Sequence, residues 1–163
     1  MPNRNFFQDR DLFLRLLELE LKRSLRYQSF TSVLLTEVPV NRRLGLKRPS
    51  PWFDKVVASL RSQIRETDII GTPKENVIAV ILLNCDKNST IEVANRIISW
   101  WCHYFGFEID SGTSNSGLGV GIACCPTDAT DSEQLLSAAI EILEVSRRQR
   151  RSADLIIRDA YSS

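Results

Sequence analysis

Apolar residues recur at two different spacings along the 163-residue chain, and these spacings predict alternating helices and strands. Spacings of three and four residues put apolar side chains on one helix face and predict helices over residues 11–26, 51–66, 90–104 and 133–148. Near-continuous apolar runs predict buried strands over residues 31–38, 77–83 and 118–124, the last two central in the sheet. Shorter extended pieces are predicted at residues 68–71 and 155–157.

The first helix has a wide apolar side and a polar side filled by charged residues. One line along the helix carries Leu12, Leu16, Leu19 and Arg23. A neighbouring line widens the apolar side with Phe13, Leu17 and Leu21. Asp9 or Asp11 can serve at its N-terminus, where a carboxylate suits the helix dipole. We expect an amphipathic helix that packs on the sheet.

The order of these elements predicts the fold class. Helices and strands alternate as α-β-α-(β)-β-α-β-α-β, which favours an α/β protein, an α+β sandwich with a ferredoxin-like or palm-type central mixed sheet flanked by helices. The dinucleotide-binding and P-loop glycine patterns are both missing from the sequence. The length is that of one domain.

Composition narrows the class of partner and the cellular compartment. The net charge of +1 does not indicate a nucleic-acid or membrane surface. Four cysteines without a C-x-x-C pair, and a single histidine, do not predict a zinc site. With no leader pattern and no apolar run of membrane length, we expect a cytoplasmic protein with free thiols, no membrane segment and no cofactor.

Three local strings carry a family resemblance. They are the N-terminal helix and first strand over residues 9–35, the stretch 60–83 with Arg65 and Asp68, and the stretch 119–143 that begins Gly-Val-Gly-Ile-Ala. In this order and spacing they resemble the GGDEF (diguanylate cyclase) domain family over nearly the whole chain. The resemblance implies one GGDEF-like domain over residues 1–163.

The positions that carry the family's chemistry depart from its pattern. The Gly-Gly-Asp-Glu-Phe signature maps onto Lys74, Glu75, Asn76, Val77 and Ile78. The two metal-binding aspartates of the first strand map onto Glu37 and Pro39, which leaves Glu37 as the one metal-ligand candidate. Because phosphoryl transfer depends on metal and positioned charge, the resemblance implies a degenerate domain that is not an enzyme.

Two pairs of residues are candidate ligand-binding groups. Arg65 and Asp68 match the R-x-x-D of the family's inhibitory site, which binds cyclic di-GMP. Arg147 and Arg151 fall where the family has phosphate-contacting basic residues. Each pair also has a structural interpretation: a local ion pair at a helix end for the first, and compensation of a helix dipole for the second.

The leading hypothesis is therefore a catalytically inactive GGDEF-like domain that regulates or scaffolds bacterial signalling by binding another protein. One alternative is a cyclic di-GMP receptor acting through Arg65 and Asp68, and another is a residual GTP-dependent cyclase. A homodimer is left open. Two adjacent tryptophans, Trp100 and Trp101, cannot both face the core from one helix, so we expect one of them to be partly exposed.

Overall fold

The computed structural model describes residues 6–7, 9–37, 51–74, 77–104 and 119–149. These form five strands, β1 (Phe6–Phe7), β2 (Thr31–Glu37), β3 (Ile69–Lys74), β4 (Val77–Leu83) and β5 (Val120–Cys125). The helices are α1 (Arg10–Tyr27), α2 (Pro51–Arg61), α3 (Lys87–Tyr104) and α4 (Ser132–Gln149). The predicted strand at 155–157 lies outside the described residues.

The strands form one mixed sheet in the order β1-β3-β4-β2-β5. Only β1 and β3 pair in parallel, and the other neighbours are antiparallel. This confirms the predicted fold class and the central position of β4. The prediction that β5 is central is wrong, because β5 ends the described sheet. Its residues are nevertheless all buried, and burial on both faces produces the same apolar run in an edge strand as in a central one.

The two faces of the sheet bury separate cores. One face packs on α2 and α3, and its largest buried side chain is Trp101. The other face packs on α1 and α4 and includes Phe13 and Leu143. Trp100 is only partly buried at the edge of the first core, which confirms the expected division between the two tryptophans. Two hydrophobic layers on a single sheet are the usual way to bury both of its faces.

Helix α1 directs only one of its two leucine series into the protein. Phe13, Leu17 and Leu21 are fully buried. Leu12 and Leu19, by contrast, are 42% and 59% exposed. Periodicity could not separate the two series because they lie about one residue, or roughly 100°, apart around the helix.

Aspartate side chains cap the N-terminal ends of α1 and α3. Asp9 caps α1 as predicted, since its Oδ1 accepts from the backbone N of Asp11 at 2.9 Å. Helix α3 differs from the prediction: Asp86, and not Ser89 or Thr90, supplies the cap by accepting from the backbone N of Ser89 at 2.8 Å. The hydrogen bond lowers the pKa of Asp86. Aspartate and serine are equally good caps, so composition alone did not decide between them.

Helix α2 stops at Arg61, earlier than the predicted residue 66. The backbone N of Gln63 donates to the carbonyl of Leu60, a tighter turn than an α-helix makes. A second turn follows, in which the backbone N of Asp68 donates to the carbonyl of Arg65 at 3.0 Å. This early end places Arg65 and Asp68 in a connection between α2 and β3. Among the described helices, none is long and apolar enough to cross a membrane.

Candidate functional site

Asp68 is the buried anchor of the turn between α2 and β3. The residue is 1% exposed. Its Oδ2 accepts from the backbone N of Arg65 at 3.0 Å, and its Oδ1 accepts from the backbone N of Leu83 at 3.2 Å. These bonds tie the turn to the end of β4. A buried carboxylate is stable only with such partners, so Asp68 is positioned to shape the turn and not to meet solvent.

The Arg65 side chain is held along one edge. Its Nη2 lies 3.4 Å from Oδ1 of Asp68 and also donates to the carbonyl of Leu83, while its Nε lies 3.5 Å from Oδ2 of Asp68. The side chain is still 54% exposed. A guanidinium carries five N–H donors in a rigid fork, so the contacts along one edge leave Nη1 able to bind an anion.

Arg61 supports the turn from the last turn of α2. Its Nη1 donates to the carbonyl of Asp68 at 2.8 Å and to that of Arg65 at 3.3 Å. Burial lowers the pKa of Arg61, and the nearby charges of Asp68 and Glu66 partly offset that effect. The turn therefore has backbone hydrogen bonds on one side and a cation bound to its carbonyls on the other.

A pocket of about 360 Å³ opens beside this turn, between α3 and the end of β4. Its wall is formed by Ile64, Arg65, Asp68, Leu82, Asn84, Cys85, Ser89, Val93 and Arg96. Arg96, on α3, is exposed and its Nη2 donates to the carbonyl of Gln63 at 2.6 Å. The pocket thus has two arginines, an aliphatic wall and hydroxyl and amide groups, a composition suited to a small anionic ligand. Burial raises the pKa of the Cys85 thiol, which favours the uncharged form.

Sequence patterns did not single out Arg96. It lies on the polar side of a long amphipathic helix, where charged residues are common and no local motif distinguishes one from another. The signal that could have found it is tertiary. Strands β3 and β4 form an antiparallel pair that returns the chain to the end of the sheet where the turn lies, so α3, which follows β4, begins near that turn.

The structure describes only part of the segment 74–78, which matches the family signature and joins β3 to β4. Lys74 ends β3 and pairs with Val77 at the start of β4, while Glu75 and Asn76 lie outside the described residues. Val77 and Ile78 are buried, so neither side chain is placed to contact a ligand in solvent. Lys74 is exposed.

Glu37, the metal-ligand candidate named from the sequence, lies at the end of β2. Glu37 ends β2 directly opposite Val77, and its Oε2 accepts from the backbone N of Gly119 at 3.4 Å. No group of three or more metal-ligating side chains is found in the part of the chain that the structure describes. Pro39 lies outside that part. Glu37 thus supplies one carboxylate at this end of β2, opposite a valine that offers no ligand.

The second pair of candidates lies largely outside the described residues. Arg147 belongs to the last turn of α4, but its side chain is outside the described set, as is the whole of Arg151. Helix α4 packs on the face of the sheet opposite to α3. Among the described residues, the charged groups of the pocket are Arg65, Asp68 and Arg96.

Fold and sequence together define the family. Residues 1–153 match the family model "Diguanylate cyclase, GGDEF domain". The chain belongs to this family.

The relatives include enzymes and ligand-bound domains. Diguanylate cyclase TpbB of Pseudomonas aeruginosa is 25% identical over 158 residues, which cover 94% of this chain and 35% of TpbB. The chain thus spans about a third of that relative. The solved GGDEF domain of TpbB superposes with a TM-score of 0.72 at 23% identity, covering 90% of this chain and 87% of that one. The GGDEF domain of DgcB from Caulobacter crescentus was solved in complex with c-di-GMP. It superposes with a TM-score of 0.63 at 12% identity, covering 88% of this chain and 85% of that one.

These relatives correct one prediction. The expectation that the chain is not an enzyme is wrong, because the family and the curated relative are diguanylate cyclases. The prediction inferred loss of activity from the residue types at Glu37, Pro39 and Val77. That inference was too strong, since magnesium keeps several waters and needs only one or two protein carboxylates beside the substrate phosphates.

Proposed function

We propose that this chain is a single GGDEF domain over residues 1–163 that binds cyclic di-GMP in the pocket beside the Arg65–Asp68 turn and acts as a regulatory module in bacterial signalling. The observation that carries the proposal is the convergence of Arg65 and Arg96 on one pocket of about 360 Å³. The buried free cysteines Cys85, Cys124 and Cys125 are consistent with a reducing, cytoplasmic setting.

The charges of the pocket match those of a cyclic dinucleotide. Cyclic di-GMP carries two phosphodiesters, each with one negative charge, and two guanine rings with hydrogen-bonding edges. Arginine forks pair with phosphate oxygens and with guanine edges in the same planar geometry. Arg65 and Arg96 would contact the ligand, whereas Asp68 orients Arg65 from beneath. The ligand-bound DgcB domain supports this choice of ligand.

Isothermal titration calorimetry with cyclic di-GMP tests the proposal. We expect saturable binding to the wild type that weakens at least tenfold in Arg65→Ala and in Arg96→Ala, because each loses a charge-assisted contact of about 1.5–3 kcal/mol. Arg26→Ala is the matched control, since Arg26 is an exposed arginine on α1, across the sheet from the pocket. Equal binding by all four proteins, or none by the wild type, would overturn the proposal.

Family membership supports a second candidate function, GTP-dependent synthesis of cyclic di-GMP. Glu37 is the described carboxylate at the end of β2, next to the signature hairpin. Incubation with GTP and Mg²⁺, followed by chromatography of the nucleotides, measures this activity. Product that disappears in Glu37→Gln supports it, and the absence of product from the wild type contradicts it without affecting the binding proposal.

A further inference from the structure

A second pocket, of about 100 Å³, lies on the face of the sheet opposite to the Arg65 pocket. It is enclosed by α1, by α4 and by the end of the sheet at which β2 and β3 stop and β4 starts. Apart from two cations, its wall is aliphatic and is formed by Leu35, Pro73, Val77, Leu136, Ile140 and Leu143. A wall of this kind favours an apolar ligand group.

The pocket is a space between two helices that are fixed to each other elsewhere. Glu18 of α1 accepts a hydrogen bond from the backbone N of Ser132, at the start of α4. Eight residues back along α1 is Arg10, and eight residues forward along α4 is Ile140. Each of these distances is about 12 Å along the helix. Both residues line the pocket, so the two helices run in opposite directions past it.

The two cations of the pocket are available to a ligand. Arg10 and Lys74 are exposed, and neither side chain makes a hydrogen bond or ion pair with another described residue. Among the described residues that line the pocket, none is acidic. Arg10 is also the first residue of α1, where the helix dipole is positive. The neighbouring Asp9 uses its Oδ1 for backbone N–H groups of α1, at 2.9 Å from the N of Asp11. The pocket therefore favours an anionic group beside its apolar wall.

The size of the pocket limits the apolar part of the ligand. Its volume of about 100 Å³ is smaller than the roughly 150 Å³ of a protein cavity that takes up benzene. A purine ring is larger than benzene and is therefore too large. The same volume is about the share of three water molecules in the liquid, which suits a flexible alkyl chain of roughly four or five carbons.

We propose that this pocket binds a short aliphatic monocarboxylate, with its alkyl chain against Leu136, Ile140 and Leu143 and its carboxylate bound by Arg10 and Lys74. An arginine fork binds a carboxylate through two parallel N–H···O hydrogen bonds, and a lysine ammonium adds a third donor. This site is separate from the cyclic di-GMP pocket, because the sheet lies between them.

NMR of the methyl groups of the wild type during titration with hexanoate tests the site. We expect saturable shifts of the Leu136, Ile140 and Leu143 methyl signals, with a dissociation constant on the order of 1 mM for so small a ligand. Hexan-1-ol has the alkyl chain without the charge, and acetate has the charge without the chain, so each should bind at least tenfold more weakly. Absence of saturable shifts at these methyl groups, or equal affinity for hexan-1-ol, would overturn the proposal.

Charge variants test the two cations. Arg10→Gln and Lys74→Gln should each weaken hexanoate binding at least fivefold, because each removes a charged donor from the carboxylate. Arg15→Gln is the matched control, since Arg15 is exposed on the same helix and does not line the pocket. It should bind hexanoate within twofold of the wild type. Equal affinities of Arg10→Gln and Arg15→Gln would contradict the proposed carboxylate contact.

A variant that fills the pocket tests the position of the alkyl chain. Ile140→Phe should abolish saturable binding of hexanoate, because the larger side chain takes up the space of the chain. Ile142→Phe is its control: Ile142 is half-buried on the same helix and does not line the pocket. The methyl spectrum of each variant shows that it is folded. Retained binding by Ile140→Phe would place hexanoate elsewhere and exclude the proposed site.

Discussion

At the scale of single residues, Asp68 and Arg65 form one ion pair but contribute differently to the protein. Asp68 accepts two backbone N–H groups inside the protein, and Arg65 places half of its side chain in solvent. We predict that Asp68→Ala lowers the free energy of unfolding by about 2–4 kcal/mol, because it leaves buried donors without an acceptor. Arg65→Ala should cost less than about 1 kcal/mol. Urea unfolding measures both, and equal losses would show that Asp68 does not organise the turn.

A second residue-scale prediction concerns the contact between β5 and α4. A Cβ added to Gly121 would lie 1.9 Å from the backbone oxygen of Ala139, whereas one added to Gly119 would meet the flexible tip of Glu37 at 2.9 Å. Gly121→Ala should therefore lower the free energy of unfolding by about 2–3 kcal/mol, and Gly119→Ala by less than about 1 kcal/mol. Thermal and urea unfolding distinguish them. A Gly121→Ala protein as stable as the wild type would mean that α4 does not approach β5 this closely.

At the scale of elements, Glu18 connects α1 to the start of α4. Its Oε2 accepts from the backbone N of Ser132 at 3.1 Å, and hydrogen bonds with Ser132 lower the pKa of Glu18. A lowered carboxyl pKa stabilises the fold at pH values above the unfolded pKa of about 4.3, and this contribution is lost as the pH falls through the folded pKa.

This arrangement predicts a pH-dependent effect of Glu18→Gln. The variant should be less stable than the wild type by at most about 1 kcal/mol at pH 7, because the contact is near the surface. The difference should close as the pH falls below about 4. Urea unfolding at several pH values measures it, with Glu133→Gln, in the first turn of α4, as a second carboxylate near the same helix end. A difference that does not change with pH would exclude a role for the charge.

Most helices and strands could be predicted from the sequence. How they pack against one another could be predicted less well. Hydrophobic patterns predicted the four helices because each buries one continuous face, and the long strands because each is buried on both faces and forms a continuous apolar run. They did not show which leucine series of α1 packs inward, nor that β5 ends the sheet, because both depend on which elements meet in space. The R-x-x-D pair was visible as a local motif. Arg96 was not, since only the packing of α3 beside the turn brings it to the pocket.

At the scale of the whole molecule, the sheet separates the Arg65 pocket from α1. The pocket lies on the face covered by α2 and α3, and α1 packs on the other face. We predict that Leu19→Glu, at an exposed position of α1, leaves the affinity for cyclic di-GMP within about twofold of the wild type, since distant sites without shared partners behave additively. Calorimetry on this variant measures the affinity. A larger change would reveal coupling through the sheet.

A crystal structure of the protein with cyclic di-GMP bound tests the proposed pocket most directly. We predict ligand density in the pocket between the Arg65–Asp68 turn and α3, with phosphate or guanine oxygens within hydrogen-bonding distance of Arg65 and Arg96. Asp68 should remain beneath Arg65, bonded to the backbone N of Leu83. Ligand bound only at another position, for example against the signature hairpin near Lys74, would contradict the proposed site.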